Sequence, residues 1–178
     1  MAAGGLANTV ELFETELRWF GVVYDEHCRV ARLSFFNDSR HDAEVSVQEF
    51  LTSNYREIFK VSPLRTMLLK YSTGKEICFD AVELVPCRTD FQEAVRRACR
   101  DVQYGQTATY GQLAVKIRSP KAARAVGLCM KNNPIPIIVP CHRVIGSRNR
   151  LVGFSAGKGI SSKSELLRME GSARKFVN

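Results

Sequence analysis

The chain has 178 residues, 45% of them hydrophobic, enough to bury one core or two small ones and too apolar for a disordered segment. No apolar run approaches the roughly 18 residues of a membrane span, and Met1 to Val10 lacks the basic and apolar regions of a signal peptide, so an intracellular protein with reduced cysteines and no disulfides is expected. The net charge of +8 is divided unevenly: residues 1–86 carry 9 Lys and Arg against 13 Asp and Glu (−4), residues 87–178 carry 17 against 5 (+12), which points the second half toward a polyanion such as nucleic acid.

Trp19 to Tyr24 and Cys28 to Phe36 read as two strands joined by a polar turn at Asp25 to His27, and Glu76 to Leu84 as a third. Val45 to Phe59 between them reads as a helix. Near Pro86 the charge balance changes sign and the apolar period becomes helical, which places a boundary between domains 1–86 and 87–178. Thr89 with Gln92 then forms a capping-box pattern, followed by Phe91, Ala94, Val95, Ala98 and Val102 at helical spacing, with Arg96, Arg97 and Arg100 on the outer face.

Thr109 with Gln112 opens a short helix, and Ser119-Pro120 starts another that runs to about Met130; two short helices with a tight link suggest a helix-turn-helix. The second is rich in small residues and projects one long side chain, Arg124. Ser162 with Glu165 gives a last capping box, for a helix with Leu166 and Leu167. Glu170 shares the face of those leucines and needs a partner there; His142 is the attractive one. The expected class is α+β: an N-terminal α/β domain with a small sheet, then a mostly helical domain containing the helix-turn-helix.

The chemistry concentrates at Pro134 to Gly146, PIPIIVPCHRVIG, where Cys141 and His142 follow a proline-punctuated apolar run. A thiol beside a histidine and an arginine is a candidate nucleophile, because those groups stabilise the attacking thiolate. Cys28, Cys78, Cys87, Cys99 and Cys129 stand in ordinary patterns and are expected to be buried apolar residues. No Cys/His spacing of a zinc site occurs, and no metal or cofactor is expected. A cysteine hydrolase would need a distant histidine, for which only His27 and His41 qualify. A lesion sensor without chemistry, or a transcriptional regulator, would also carry a helix-turn-helix, but neither needs a reactive cysteine.

Three segments, YGQTATYGQLA at Tyr104 to Ala114, PKAARAVG at Pro120 to Gly127 and NPIPIIVPCHRVIG at Asn133 to Gly146, together resemble the O6-alkylguanine-DNA alkyltransferases, also called methylated-DNA-protein-cysteine methyltransferases. The resemblance spans roughly Phe91 to Glu170. It implies that Cys141 accepts the alkyl group of an O6-alkylguanine, or of an O4-alkylthymine, in double-stranded DNA, that His142 takes the thiol proton through a water, and that Glu170 holds His142. It makes Asn133 the brace of the active-site segment and Tyr110 the proton donor to the departing base. Arg124 would enter the base stack behind a flipped nucleotide, Ala122 and Ala123 would suit the minor groove, and Ser119 and Ser147 would touch the DNA backbone. Val144, Phe154 and Ser155 would line the pocket, with Phe154 standing where the family usually has tyrosine and Lys158 to Ser162 longer than usual. A monomer that acts once, without a cofactor or a membrane, is implied, in the cytoplasm of a prokaryote or the nucleus of a eukaryote.

Overall fold

The computed structural model describes residues 7–48, 50–51, 55–58, 60–172 and 176, and the chain divides into two compact units, residues 1–85 and 86–178. It is an α+β protein. The first unit is built on β1 (Ala7–Thr15), β2 (Arg18–Asp25) and β3 (Val30–Asn37), an antiparallel meander, with β4 (Arg56–Glu57) parallel to β1; the sheet order is β3-β2-β1-β4. Alternation along β1 sends Val10 and Leu12 to one face, where Ala43 and Val47 of helix α1 (Arg40–Gln48) cover them. The helix comes so close at Gly21 that an added Cβ would lie 3.0 Å from Val47 Cγ1 and 3.1 Å from the Ala43 carbonyl. Phe13 turns to the other face, 5.7 Å from the Phe20 ring and beneath the Arg65 guanidinium of α2 (Pro63–Ser72).

The sequence reading needs correction in three places in this unit and for the cysteines of both units. β1 and α2 are additional elements; α2 is capped by Ser62, which accepts the Arg65 N–H, with Pro63 at the first helical position. The helix expected over Val45 to Phe59 lies instead at Arg40–Gln48, after a Ser39 hydroxyl that accepts the Asp42 N–H; the remainder includes the short strand β4, while residues 49, 52–54 and 59 lie outside the described residues. Glu76 to Leu84 is not a strand: a turn with Val82 N–H on the Phe79 carbonyl interrupts it, leaving one bridge between Leu84 and Val30. Cys28 and Cys78 are exposed and Cys87 and Cys129 half-buried, so among the five cysteines expected inside only Cys99 is fully buried.

The second unit contains α3 (Asp90–Arg100), β5 (Ala108–Thr109), α4 (Tyr110–Lys116), α5 (Ala123–Lys131), β6 (Val144–Ile145) and α6 (Ile160–Met169). Thr89 caps α3 by accepting the Gln92 N–H, and the reciprocal Thr109–Gln112 box caps α4. β5 and β6 pair in parallel, Ala108 opposite Val144 and Thr109 opposite Ile145. This pairing fixes the start of α4 beside the residues that follow Cys141. The link between α4 and α5 is a turn in which Ala122 N–H bonds the Ser119 carbonyl, so α5 begins at Ala123 and not at Pro120. Helix α6 begins two residues before Ser162, after Gly159 at φ +69°; the Ser162 hydroxyl accepts the Lys158 N–H and no capping box forms.

Candidate active site

Ile135, Ile137, Ile138 and Val139 are each at most 2% exposed, and they lead the chain into Cys141 as a buried support. The support is folded and not extended. Ile138 N–H bonds the Pro136 carbonyl across Ile137 at φ +71°, a left-handed backbone that a β-branched residue adopts only under strain. Cys141 N–H closes a second three-residue turn on the Val139 carbonyl at 2.7 Å, and Cys141 to Arg143 then form one 3-10 turn. That turn is why neighbouring Cys141 and His142 need not point to opposite sides, as they would on a strand.

Cys141 is 3% exposed, and its Sγ accepts a hydrogen bond from Asn133 Nδ2 at 3.0 Å. The same amide nitrogen reaches the Val139 carbonyl at 2.9 Å, while Asn133 Oδ1 accepts the Ile135 N–H. One side chain at the end of α5 thus holds the thiol and both ends of its support. Burial pushes the Cys141 thiol up from its ordinary value; Asn133, the Lys163 ammonium and the backbone N–H groups of Cys141 and His142 oppose that shift.

His142 is fully buried, with Nε2 2.9 Å from Glu170 Oε1. Glu170 also receives Arg143 in a two-pronged grip, Nε on Oε2 and Nη2 on Oε1, both at 2.9 Å, while Arg143 Nη1 donates to the Val102 carbonyl at 2.7 Å. Burial alone would raise the Glu170 carboxyl, but His142 and Arg143 hold it well below the usual carboxylate range. Burial lowers His142 in spite of Glu170, so the ring is neutral near pH 7. Facing an ionised carboxylate, Nε2 carries the ring proton, and Nδ1 is then the basic nitrogen.

Lys163 of α6 is 0% exposed; its Nζ donates to the carbonyls of Val144 and Val152 and lies 5.9 Å from the ring centroids of Tyr110 and Phe154. Burial brings it down to about 8. The Tyr110 hydroxyl donates to the same Val152 carbonyl at 2.9 Å, and burial raises that phenol to about 12. Gly153, at φ +68°, keeps the approach open, since a Cβ there would fall 2.7 Å from the Tyr110 oxygen.

The structure brings Cys141, His142, Glu170 and Asn133 together and sets Tyr110, Val144 and Phe154 around Lys163, with Val144 and Phe154 buried. Ser155 is exposed, and its hydroxyl bonds the Lys131 carbonyl. Arg124 and Ser147 are exposed, Ser119, Ala122 and Ala123 half-buried, and Arg124 has no ion-pair partner among the described residues. One residue was given another role from the sequence, and one was missed. Arg143, expected to support the thiolate, clamps Glu170, and the cation acting on Cys141 is Lys163. The signal for Lys163 was its register: it precedes Leu166, Leu167 and Glu170 by three, four and seven positions and so shares their inward face.

Residues 90–172 match the family described as "6-O-methylguanine DNA methyltransferase, DNA binding domain". The chain is 41% identical over 140 residues to a methylated-DNA--protein-cysteine methyltransferase of Methanosarcina acetivorans, covering 79% of this chain and 86% of that protein. A protein of the same description from Haemophilus influenzae is 44% identical over 107 residues, 60% of this chain and 59% of that protein. Among solved structures, Mycobacterium tuberculosis OGT in complex with DNA aligns with a TM-score of 0.72 at 31% identity, covering 92% of this chain and 93% of that one. With the Methanosarcina acetivorans relative matched over most of both chains, and the buried Cys141 and His142 inside the matched segment, the chain belongs to the methylated-DNA--protein-cysteine methyltransferase family.

Proposed function

We propose that this chain repairs O6-alkylguanine in double-stranded DNA by moving the alkyl group to Cys141, once per molecule. The observation that carries the reading is the thiol itself: buried, held by Asn133 on a turned support, beside a His142 whose far nitrogen is fixed on Glu170.

The reaction is a displacement. The thiol proton leaves through a bridging water to Nδ1 of His142, neutral and therefore able to accept it. The sulfur then attacks the alkyl carbon, the S–C bond forms as the C–O6 bond breaks, and the purine takes the electron pair. Tyr110, fully protonated at neutral pH, donates a proton to the departing guanine and is reprotonated in turn. The Arg143 guanidinium balances the charge of Glu170, so this carboxylate orients the His142 ring while the charge opposite the forming thiolate comes from Lys163.

A thiol within a protein pocket cannot reach O6 inside a base stack, so the nucleotide has to turn out of the duplex. Helices α4 and α5 with their tight link serve as the helix-turn-helix, α5 lying in the minor groove with Arg124 filling the vacated stack and Ser119 and Ser147 on the backbone. Val144 and Phe154 are the pocket walls, and the Ser155 hydroxyl can donate to substrate only if it leaves the Lys131 carbonyl. Among the described residues no helix is long and apolar enough to cross a membrane, and no group of three or more His, Cys, Asp or Glu could hold a metal. The protein works as a monomer without a cofactor, in the compartment that holds DNA.

Intact-mass measurement after mixing with an O6-methylguanine duplex tests this reading: a gain of one methylene mapped to Cys141 is expected, and unmodified protein beside repaired DNA would refute it. The proton path has its own test. His142→Ala, which leaves the Glu170–Arg143 pair in place, and Glu170→Gln are both expected to move the inactivation of Cys141 by a soluble alkylating reagent to higher pH, because each weakens the base that takes the proton. Glu170→Gln also strips a buried arginine of its counter-charge and is expected to cost roughly 3–5 kcal/mol of stability. Unchanged pH–rate profiles in both variants would break the linked chain.

A further inference from the structure

Residues 102–164 contain no Asp or Glu and ten Lys or Arg. Helix α5 lies within this stretch with Val126 and Met130 buried, while Arg124, Ala125, Leu128, Lys131 and Asn132 are exposed and recur at helical spacing as one stripe, with Lys121 exposed in the turn that precedes it. In its centre Leu128 is 60% exposed, although Val126, two residues away, is fully buried. Among the described residues none of Lys121, Arg124 or Lys131 has an ion-pair partner.

An exposed aliphatic side chain among cations without ion-pair partners, on a stretch of chain that carries no acid, fits one kind of polymer, with anionic rows on either side of an apolar floor. The minor groove of duplex DNA has that form, its phosphate rows flanking the deoxyribose walls and base edges. We propose that Leu128 is an apolar contact to the sugar walls of the minor groove, supplying a part of the DNA affinity that salt does not screen. The inference rests on the reading of α5 as the DNA-facing helix and adds to it a residue that sets how long undamaged duplex is held.

Charge and apolar contact separate in a salt titration, because each phosphate neutralised adds about 0.9 to the slope of log affinity against log salt, whereas a buried methyl adds nothing. With undamaged duplex, Leu128→Ala is expected to weaken binding about tenfold at every salt concentration with the wild-type slope unchanged. Leu128→Met, of similar apolar volume, should stay within about twofold of wild type, and Lys131→Ala should lose its affinity through a shallower slope by about 0.9. The exposed position means that the unfolding midpoint of each variant should match wild type. Wild-type affinity in Leu128→Ala, or a loss that vanishes at high salt, would overturn the contact. Self-association of the DNA-free protein that Leu128→Ala abolishes would overturn it in favour of a second copy as the occupant. A wild-type protein whose affinity ignores salt would instead overturn the reading of α5 itself.

Discussion

Cys141→Ser is expected to end alkyl transfer, lowering the rate by more than about a thousandfold, while duplex affinity stays near wild type. A hydroxyl is a far weaker acid than a thiol and needs a strong base to become a nucleophile. This site has none: His142 is a neutral ring lowered by burial, and the Glu170 charge is already taken by Arg143. The substitution nearly preserves volume in a position 3% exposed, and the contact from Asn133 Nδ2 can pass to the serine oxygen, so the fold should persist. No other cysteine is placed to substitute. Cys99 is buried with its thiol pushed well up, burial also raises Cys87 and Cys129, and Cys28 and Cys78 are exposed in the other unit. Rapid-quench assay of repair, with a binding titration on the same duplex, checks both halves; residual transfer within tenfold of wild type would remove Cys141 from its role.

Arg124→Ala is expected to slow repair of a lesion in duplex DNA by about a hundredfold and to slow reaction with free O6-benzylguanine far less. Extruding a stacked nucleotide costs a few kcal/mol, and a guanidinium that fills the gap recovers part of that cost, which at 1.4 kcal/mol per decade is worth about two decades in rate. The free base is already unstacked and asks nothing of the finger. Arg124 is suited to the task because it is exposed on α5 and no acid among the described residues holds it back. Comparing single-turnover rates on the two substrates is the check. Equal losses on both would assign Arg124 to the pocket and not to base extrusion.

The sequence showed most where local rules decide. Thr109 and Gln112 announced α4, and the structure has their reciprocal capping box; Glu170 on the leucine face of α6 announced a partner, and His142 is there at 2.9 Å. It showed least where a residue's role depends on chain far away. Arg143 sits beside His142 in sequence, but its target lies 27 residues on and is supplied by the fold. Lys163 looked like any surface lysine because a charge is rarely placed inside, and only two carbonyls turned inward by β6 and the Val152 segment make its burial tolerable. In the first unit β1 does not show clean alternation, since Glu11 is as buried as Val10: the Tyr24 and Ser62 hydroxyls satisfy its carboxylate. Glu76 to Leu84 has strand-like residues without a strand, because the chain turns at Phe79 and pairs only once.

The central claim is that the acceptor is consumed. Once alkylated, Cys141 is a thioether, with neither a good leaving group nor a bond that water cleaves under these conditions. The measurement that tests this most directly is a titration of a fixed amount of protein with excess O6-methylguanine duplex, followed to completion by counting repaired guanine and alkylated protein together. Repair is expected to stop at one lesion per active molecule, with every repaired base matched by one modified Cys141; repair that continues past one equivalent, or modified protein that falls short of repaired DNA, would contradict the account.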